Sequence, residues 1–119
     1  MVFETMENKE GLIWYDGNLV DWKDAKLHVL THGLHYASSV FEGERSYSGR
    51  IFKLHEHTER LLYSASELDF EIPYSIDEIK QASYLTLEKN NLVDAYIRPI
   101  AWRGACLLYT SDAADDAGS

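Results

Sequence analysis

The feature that most limits the folds open to this chain is a pair of amphipathic helix patterns separated by a proline. Residues 54–69 place their leucines and Ala65 on one helical stripe, and Pro73 marks the end of that pattern. Ser75 and Glu78 then have capping-box spacing, in which each side chain satisfies a free N–H group at a helix start. We therefore predict two helices of moderate length, with only short segments left for strands.

Two glycine-containing turns before the helices predict β-hairpins. Asp16-Gly17 and Ser48-Gly49 each lie between short strand-like segments, and glycine tolerates the positive φ that a tight hairpin needs. Residues 95–102 return to strand-like alternation after the second helix pattern. We expect both hairpins to join one antiparallel sheet with the two main helices packed on it, which gives an α+β fold.

The alternation in residues 95–102 predicts which side chains share a face. Tyr96 and Arg98 are two apart and therefore point the same way from a strand. Pro99 cannot donate a ladder hydrogen bond, so we expect an edge strand or a bulge there. A guanidinium beside a tyrosine can bind a carboxylate through paired donors. The spacing alone slightly favours the simpler interpretation of Arg98 as an ordinary surface arginine.

Composition and charge exclude several classes of protein. The 119 residues, 45% of them hydrophobic, suit one compact domain, and the net charge of −9 with scattered basic residues argues against a nucleic-acid or anionic-membrane surface. No apolar run reaches the length of a membrane span, and the polar, acidic start is unlike a secretion signal. Cys106 is the only cysteine. These features predict a cytoplasmic protein without a disulfide framework.

The end of the chain differs in character from the rest. Residues 106–119, CLLYTSDAADDAGS, have no strand or helix periodicity and finish in small and acidic residues. We interpret them as a non-native, disordered tail. Residues 1–105 then form the domain on which the fold is argued.

Three stretches resemble a known enzyme family. They are LIWYDGNLVDWKDAKLHVLTHGLHYASSVFEGERSY, FKLHEHTERLLYSA and KNNLVDAYIRP, and they span nearly all of residues 10–105. They resemble the amino-terminal small domain of branched-chain amino acid aminotransferases, which are fold-type IV enzymes that use pyridoxal 5'-phosphate. The HGLHY…SVFEG and YIRP blocks distinguish this subgroup from D-amino acid aminotransferases and aminodeoxychorismate lyases of the same fold, which remain the alternatives.

The resemblance implies one cofactor-binding residue. Arg60 occupies the arginine position of the family's EHxxRL motif, where it would hold the cofactor phosphate through a cationic fork. Without the resemblance, Arg60 would be interpreted as a helix residue at the rim of the core. No catalytic residue is assigned, because the family's Schiff-base lysine lies in a larger carboxy-terminal domain that these residues do not match.

The resemblance also implies a set of substrate-binding residues. Phe41 and Gly43 match pocket positions, where the ring would line an apolar slot and the glycine would let the backbone approach the ligand. Tyr36 matches a tyrosine that reaches the pocket of a neighbouring subunit. Tyr96 and Arg98 match the residues that bind substrate carboxylates, including the second carboxylate of glutamate. Taken alone, Tyr36 and Phe41 would be interpreted as ordinary core aromatics.

The implied reaction moves an amino group between branched-chain L-amino acids (Leu, Ile, Val) and 2-oxoglutarate in a cytoplasmic homo-oligomer. The six lysines of this chain do not match the family's lysine motif; they are Lys9, Lys23, Lys26, Lys53, Lys80 and Lys89. We therefore expect a truncated enzyme that is inactive as given. A stand-alone binding or dimerisation module is the alternative that the short chain raises.

A metal site is a further hypothesis of a different class. His28, His32 and His35 are spaced so that a helix would bring three imidazoles toward one side, as zinc requires. Gly33 interrupts such a helix, and neither a cysteine nor a carboxylate within residues 28–35 completes the set. We therefore assign no metal ligand.

Overall fold

The computed structural model describes residues 9–104, and these form the α+β arrangement expected from the sequence. The elements in chain order are β1 (Leu12–Tyr15), β2 (Asn18–Asp21), a 3-10 turn (Trp22–Asp24), α1 (His32–Tyr36), β3 (Ser39–Phe41), β4 (Glu44–Tyr47), β5 (Arg50–Ile51), α2 (Leu54–Glu67), α3 (Ile76–Lys89), β6 (Ala95–Ile97) and β7 (Ile100–Trp102). The predicted non-native tail, residues 106–119, lies outside the described range.

Both predicted hairpins form, but the expectation that they share one sheet is wrong. Asp16 and Gly17 turn β1 into β2 with φ values of 50° and 100°, and Ser48 and Gly49 turn β4 into β5 with 52° and 81°. The described strands belong to three separate antiparallel sheets, β1–β2, β3–β7 and β5–β4–β6. The strands are two to four residues long.

The predicted strand over residues 95–102 is divided at Arg98 and Pro99. Its first half, β6, pairs with β4, and its second half, β7, pairs with β3. The opposing chain is interrupted at the same level, where the Glu42 N–H group donates to the Pro99 carbonyl over 3.0 Å. Two antiparallel segments therefore run side by side, with their irregular residues facing each other in the middle.

The two helices form as predicted and provide much of the core. Ser75 caps α3 with a complete capping box: its Oγ accepts from the Glu78 N–H group, and Glu78 Oε1 accepts from the Ser75 N–H group. A central cluster joins the β5, α2 and α3 elements through Ile51, Leu54 and Leu87. Helix α2 packs on both α3 and β3, so its side chains reach the interrupted segments. None of the helices within residues 9–104 has the length and apolar character needed to cross a bilayer.

Candidate functional site

Four of the predicted site residues lie together where the two strand segments are interrupted. The Arg98 guanidinium carbon lies 4.1 Å from the centre of the Phe41 ring and 5.4 Å from that of Tyr96. Arg98 Nη2 donates to the Tyr96 hydroxyl over 2.6 Å. A Cβ atom on Gly43 would lie only 2.6 Å from that hydroxyl. We call this group, Phe41, Gly43, Tyr96 and Arg98, the aromatic–arginine patch.

The patch combines an apolar surface with a fixed positive charge. Phe41 is 56% exposed and Tyr96 is 54% exposed, so neither ring is sealed in the core. Stacking on Phe41 and the hydrogen bond to Tyr96 hold the guanidinium, while its other N–H groups remain to be donated. Gly43 is needed because any larger residue would displace the tyrosine. Such a surface can contact an aliphatic group and bind a carboxylate.

Arg60 lies against the buried side chain of Glu42, the residue between Phe41 and Gly43 in the same segment. Glu42 itself is not part of the patch. Arg60 Nε donates to Glu42 Oε2 over 2.8 Å, and its Nη2 donates to Oε1 over 2.7 Å. His57 Nδ1 donates to Glu42 Oε1 over 2.7 Å. The hydrogen bond from Arg60 lowers the pKa of Glu42 against the opposing effect of burial, and His57 adds to the lowering. Glu42 is therefore ionised at neutral pH, which keeps all three bonds charge-assisted.

Arg60 and Arg98 each contact a residue of the segment 41–43, Glu42 and Phe41 respectively, and whether the two arginines share a cavity stays a prediction. Within the described part of the chain, no hydrogen bond or ion pair joins Arg60 to Tyr96 or Arg98, and the link between them is the backbone of residues 41–43. Two surface depressions, of about 640 and 570 Å³, lie elsewhere and are not lined by any predicted site residue. The structure thus places two cationic groups next to one short segment.

Tyr36 is separate from this patch. It ends α1 and is 61% exposed, and its ring lies 4.5 Å from the His32 ring and 6.3 Å from the His35 ring. Among residues 9–104, no ring contact joins it to Phe41 or Arg98. The expectation that it serves the pocket of a second subunit stays a prediction.

Each of the three histidines of the metal hypothesis forms a hydrogen bond with a residue nearby in the sequence. His28 Nδ1 accepts from the Leu30 N–H group, His32 Nδ1 shares a hydrogen bond with the Ser38 hydroxyl, and His35 Nε2 donates to the Val29 carbonyl. Residues 9–104 contain no group of three histidine, cysteine or acidic side chains placed to hold a metal ion. The geometry offers the metal hypothesis no support.

Sequence reasoning missed the two buried carboxyl groups beside the patch. Glu42 and Glu44 are two apart, and both are almost fully buried. Glu44 Oε1 has no hydrogen-bond partner within the described part of the chain, and burial raises the pKa of Glu44 to about 7, with the nearby Glu42 adding to the rise and His57 opposing it. The signal was the strand-like spacing of the two glutamates, which predicts a shared face.

Arg45 is a third residue that the sequence analysis does not single out. It lies opposite Tyr96 in the β4–β6 ladder and is exposed. Directly opposed residues on antiparallel strands project from the same face, so Arg45 adds a second guanidinium beside the patch.

Comparison with known proteins finds relatives that are all described as aminotransferases. Residues 39–117 match the family described as amino-transferase class IV. The chain is 56% identical over 92 residues to the Rickettsia felis protein named "Probable branched-chain-amino-acid aminotransferase", covering 77% of this chain and 32% of that protein. The chain therefore spans about a third of the length of this relative.

Solved structures agree with the sequence relatives. The branched-chain amino acid aminotransferase from Escherichia coli superposes with a TM-score of 0.80 at 43% identity, over 85% of this chain and 36% of that one. The T.th. branched-chain amino acid aminotransferase, complexed with N-(5'-phosphopyridoxyl)-L-glutamate, gives a TM-score of 0.79 at 44% identity, over 85% and 36%. Proteins named branched-chain amino acid aminotransferase thus share the fold of this chain.

Proposed function

This chain belongs to the amino-transferase class IV family, and from that premise we propose that it is part of an enzyme that exchanges amino groups between branched-chain L-amino acids and 2-oxoglutarate. The names of its relatives support the aliphatic substrates. The observation that carries the proposal is the stacking of Arg98 on the exposed Phe41 ring, with its hydrogen bond to Tyr96.

The patch suits two substrates of different polarity. An aliphatic side chain would lie against the Phe41 ring and leave the Arg98 guanidinium hydrated. The second carboxylate of glutamate or 2-oxoglutarate would instead accept hydrogen bonds from Arg98 and from the Tyr96 hydroxyl. Gly43 leaves backbone surface bare beside both groups, which lets a ligand approach closely.

Arg60 fits the phosphate of pyridoxal 5'-phosphate. An arginine carries five N–H donors, and Glu42 accepts from two of them, so three remain for a phosphate. The Arg60 side chain is 65% exposed, which leaves it accessible. When bound, the cofactor supplies an electron sink for the substrate carbon, and this chain's residues bind and orient the phosphate and the carboxylates. The N-(5'-phosphopyridoxyl)-L-glutamate complex of the T.th. relative is consistent with such a cofactor.

The remaining machinery is expected outside the described residues. Lys53 Nζ lies over the Phe52 ring and Lys80 Nζ lies 3.4 Å from His55 Nδ1, so both are engaged away from the patch. We propose that the chain alone is inactive and that a lysine outside these 119 residues completes the enzyme. A cytoplasmic homo-oligomer, with Tyr36 reaching into a second subunit's pocket, belongs to the same proposal.

The test uses a hybrid in which residues 9–104 replace the matching segment of the Escherichia coli enzyme. We expect the hybrid to transfer amino groups from leucine to 2-oxoglutarate, and the 119-residue chain alone to show no activity. Arg98→Leu in the hybrid should raise the KM for 2-oxoglutarate on the order of tenfold and the KM for leucine much less, because only the former has a second carboxylate. A folded but inactive hybrid, or equal effects on both substrates, would contradict the proposal.

A further inference from the structure

Glu42 is an almost fully buried carboxylate whose side-chain partners both come from α2. Its side chain is 3% exposed, and it accepts hydrogen bonds from Arg60 through both oxygens and from His57 through one. A buried anion is tolerated only when its oxygens are paired with well-placed donors. Helix α2 supplies these donors from one face, because residues three apart on a helix are neighbours.

The hydrogen bonds to Glu42 hold the exposed Arg60 side chain in one orientation. An exposed arginine samples many rotamers, whereas a bidentate pair with a buried carboxylate sets the plane of the guanidinium. Two of its donors are directed at Glu42, and the others therefore point away in a defined direction. His57 in turn holds the Glu42 carboxylate from a second side.

We propose that Glu42 is a positioning residue, which orients Arg60 for the phosphate of the cofactor through the bidentate pair, with His57 fixing Glu42. This inference rests on the proposed cofactor-binding role of Arg60. The positioning role and simple electrostatics predict opposite changes in phosphate binding when the Glu42 charge is removed. The Glu42 charge repels a phosphate dianion, so charge alone predicts tighter phosphate binding once it is removed. Positioning predicts weaker binding.

The experiment compares two ligands in the apo form of the hybrid enzyme. Dissociation constants are measured for pyridoxal 5'-phosphate and for pyridoxal, which lacks the phosphate. We expect Glu42→Gln to weaken binding of pyridoxal 5'-phosphate on the order of tenfold, the usual effect of removing a group that orients a binding residue, and to leave pyridoxal unchanged. Glu42→Asp keeps the charge but is one methylene too short for both bonds, and we expect the same selective loss.

Two further variants separate the possible failures. Glu59→Gln is the matched control, because Glu59 neighbours Arg60 in sequence, is exposed and, among the described residues, ion-pairs only with His55; it should change neither constant. Arg60→Met should weaken phosphate-dependent binding by itself, and adding Glu42→Gln to it should cause no further loss, because the two residues act as a unit.

The outcomes test the cofactor role of Arg60 and the positioning role of Glu42 separately. If Arg60→Met does not weaken pyridoxal 5'-phosphate relative to pyridoxal, the proposed cofactor role of Arg60 is wrong. If it does, but a folded Glu42→Gln or Glu42→Asp protein keeps the parent ratio of the two constants or binds the phosphate form more tightly, the positioning role alone is overturned. Glu42→Asp retains the buried charge and extends the test should Glu42→Gln not fold.

Discussion

Glu42 and Glu44 are two residues apart, yet their surroundings change their pKa values in opposite directions. Hydrogen bonds from Arg60 lower the pKa of Glu42, whereas burial without a described partner for Oε1 raises the pKa of Glu44 to about 7. His57 lies close enough to act on both. At neutral pH one carboxyl is therefore a fixed anion, and the other changes its charge.

The Glu44 carboxyl should make the chain less stable as the pH rises. Below about pH 4.5 it is protonated in both the folded and the unfolded chain. Between that value and about pH 7 the unfolded chain releases the proton while the folded chain retains it, so the free energy of unfolding falls by about 3 kcal/mol at most, at about 1.4 kcal/mol per pKa unit. Urea denaturation across this range should show the fall in the parent and not in Glu44→Gln.

Glu42 does not mask this effect, because its lowered pKa acts in a different range. The stability that Glu42 contributes is present above its unfolded pKa and is lost only as the pH falls through its folded pKa. Glu59→Gln, at an exposed site, should leave the slope between pH 4.5 and pH 7 as in the parent. Parallel pH profiles for the parent and Glu44→Gln would show that Glu44 is not the group responsible.

Gly43→Ala should impair carboxylate binding far more than stability. The added methyl group would lie 2.6 Å from the Tyr96 hydroxyl, so the half-exposed tyrosine must move and release Arg98. We expect a loss of less than about 1 kcal/mol in the free energy of unfolding. In the hybrid, the KM for 2-oxoglutarate should rise on the order of tenfold, since small displacements of binding groups are costly.

Gly104→Ala is the control for this substitution. A Cβ atom at Gly104 would meet no described atom within 4 Å, so both measurements should be unchanged. An unchanged KM in Gly43→Ala would mean that the Tyr96–Arg98 bond does not take part in binding.

At the scale of the elements, local signals could be predicted from the sequence and long-range pairing could not. The hairpin at Asp16-Gly17 and the capping box at Ser75 and Glu78 depend on neighbouring residues, and both form. The division into three sheets depends on how residues 39–47 and 95–102 meet, with Pro99 unable to continue a ladder. Hydrophobic alternation does not predict which of these strands pair.

The candidate site shows the same limit. A family resemblance points to the residues of the aromatic–arginine patch, whereas spacing alone favours a core aromatic at Phe41 and a surface arginine at Arg98. The strand-like spacing of Glu42 and Glu44 predicts a shared face but not its burial. Glutamate is rarely buried without a partner, and the partners of Glu42 lie in α2, 15 and 18 residues along the chain.

The capping box should contribute measurably to the stability of α3. Ser75→Ala removes the acceptor for the Glu78 N–H group, and we expect a loss of about 1 kcal/mol in the free energy of unfolding. Ser66→Ala is the matched control, because Ser66 lies inside α2 and its hydroxyl donates to the Tyr63 carbonyl. Alanine there should be neutral or slightly stabilising. Equal losses from the two variants would show that the cap is not what stabilises the helix start.

At the scale of the whole molecule, much apolar surface is left open around α1. The segment from Leu27 to Tyr36 exposes Val29, Leu30 and Leu34 to between 62% and 69%. Exposed apolar residues that follow one another in this way are typical of a surface covered by another part of a protein or by a partner. The chain spans about a third of its relatives, which is consistent with such a cover.

This surface leads to a prediction that separates a truncated enzyme from a stand-alone module. If the segment is normally covered, the 119-residue chain should self-associate, and sedimentation should show a mass that rises with concentration. Replacing Leu30 and Leu34 together by serine should reduce the association, because it removes apolar area from the segment. Tyr63 on α2 is 63% exposed, so Tyr63→Ser removes a similarly exposed apolar side chain outside this segment. It should have little effect on self-association. A folded monomer that stays monodisperse at high concentration would instead favour the module, since a domain that functions alone has no need of a cover for this surface.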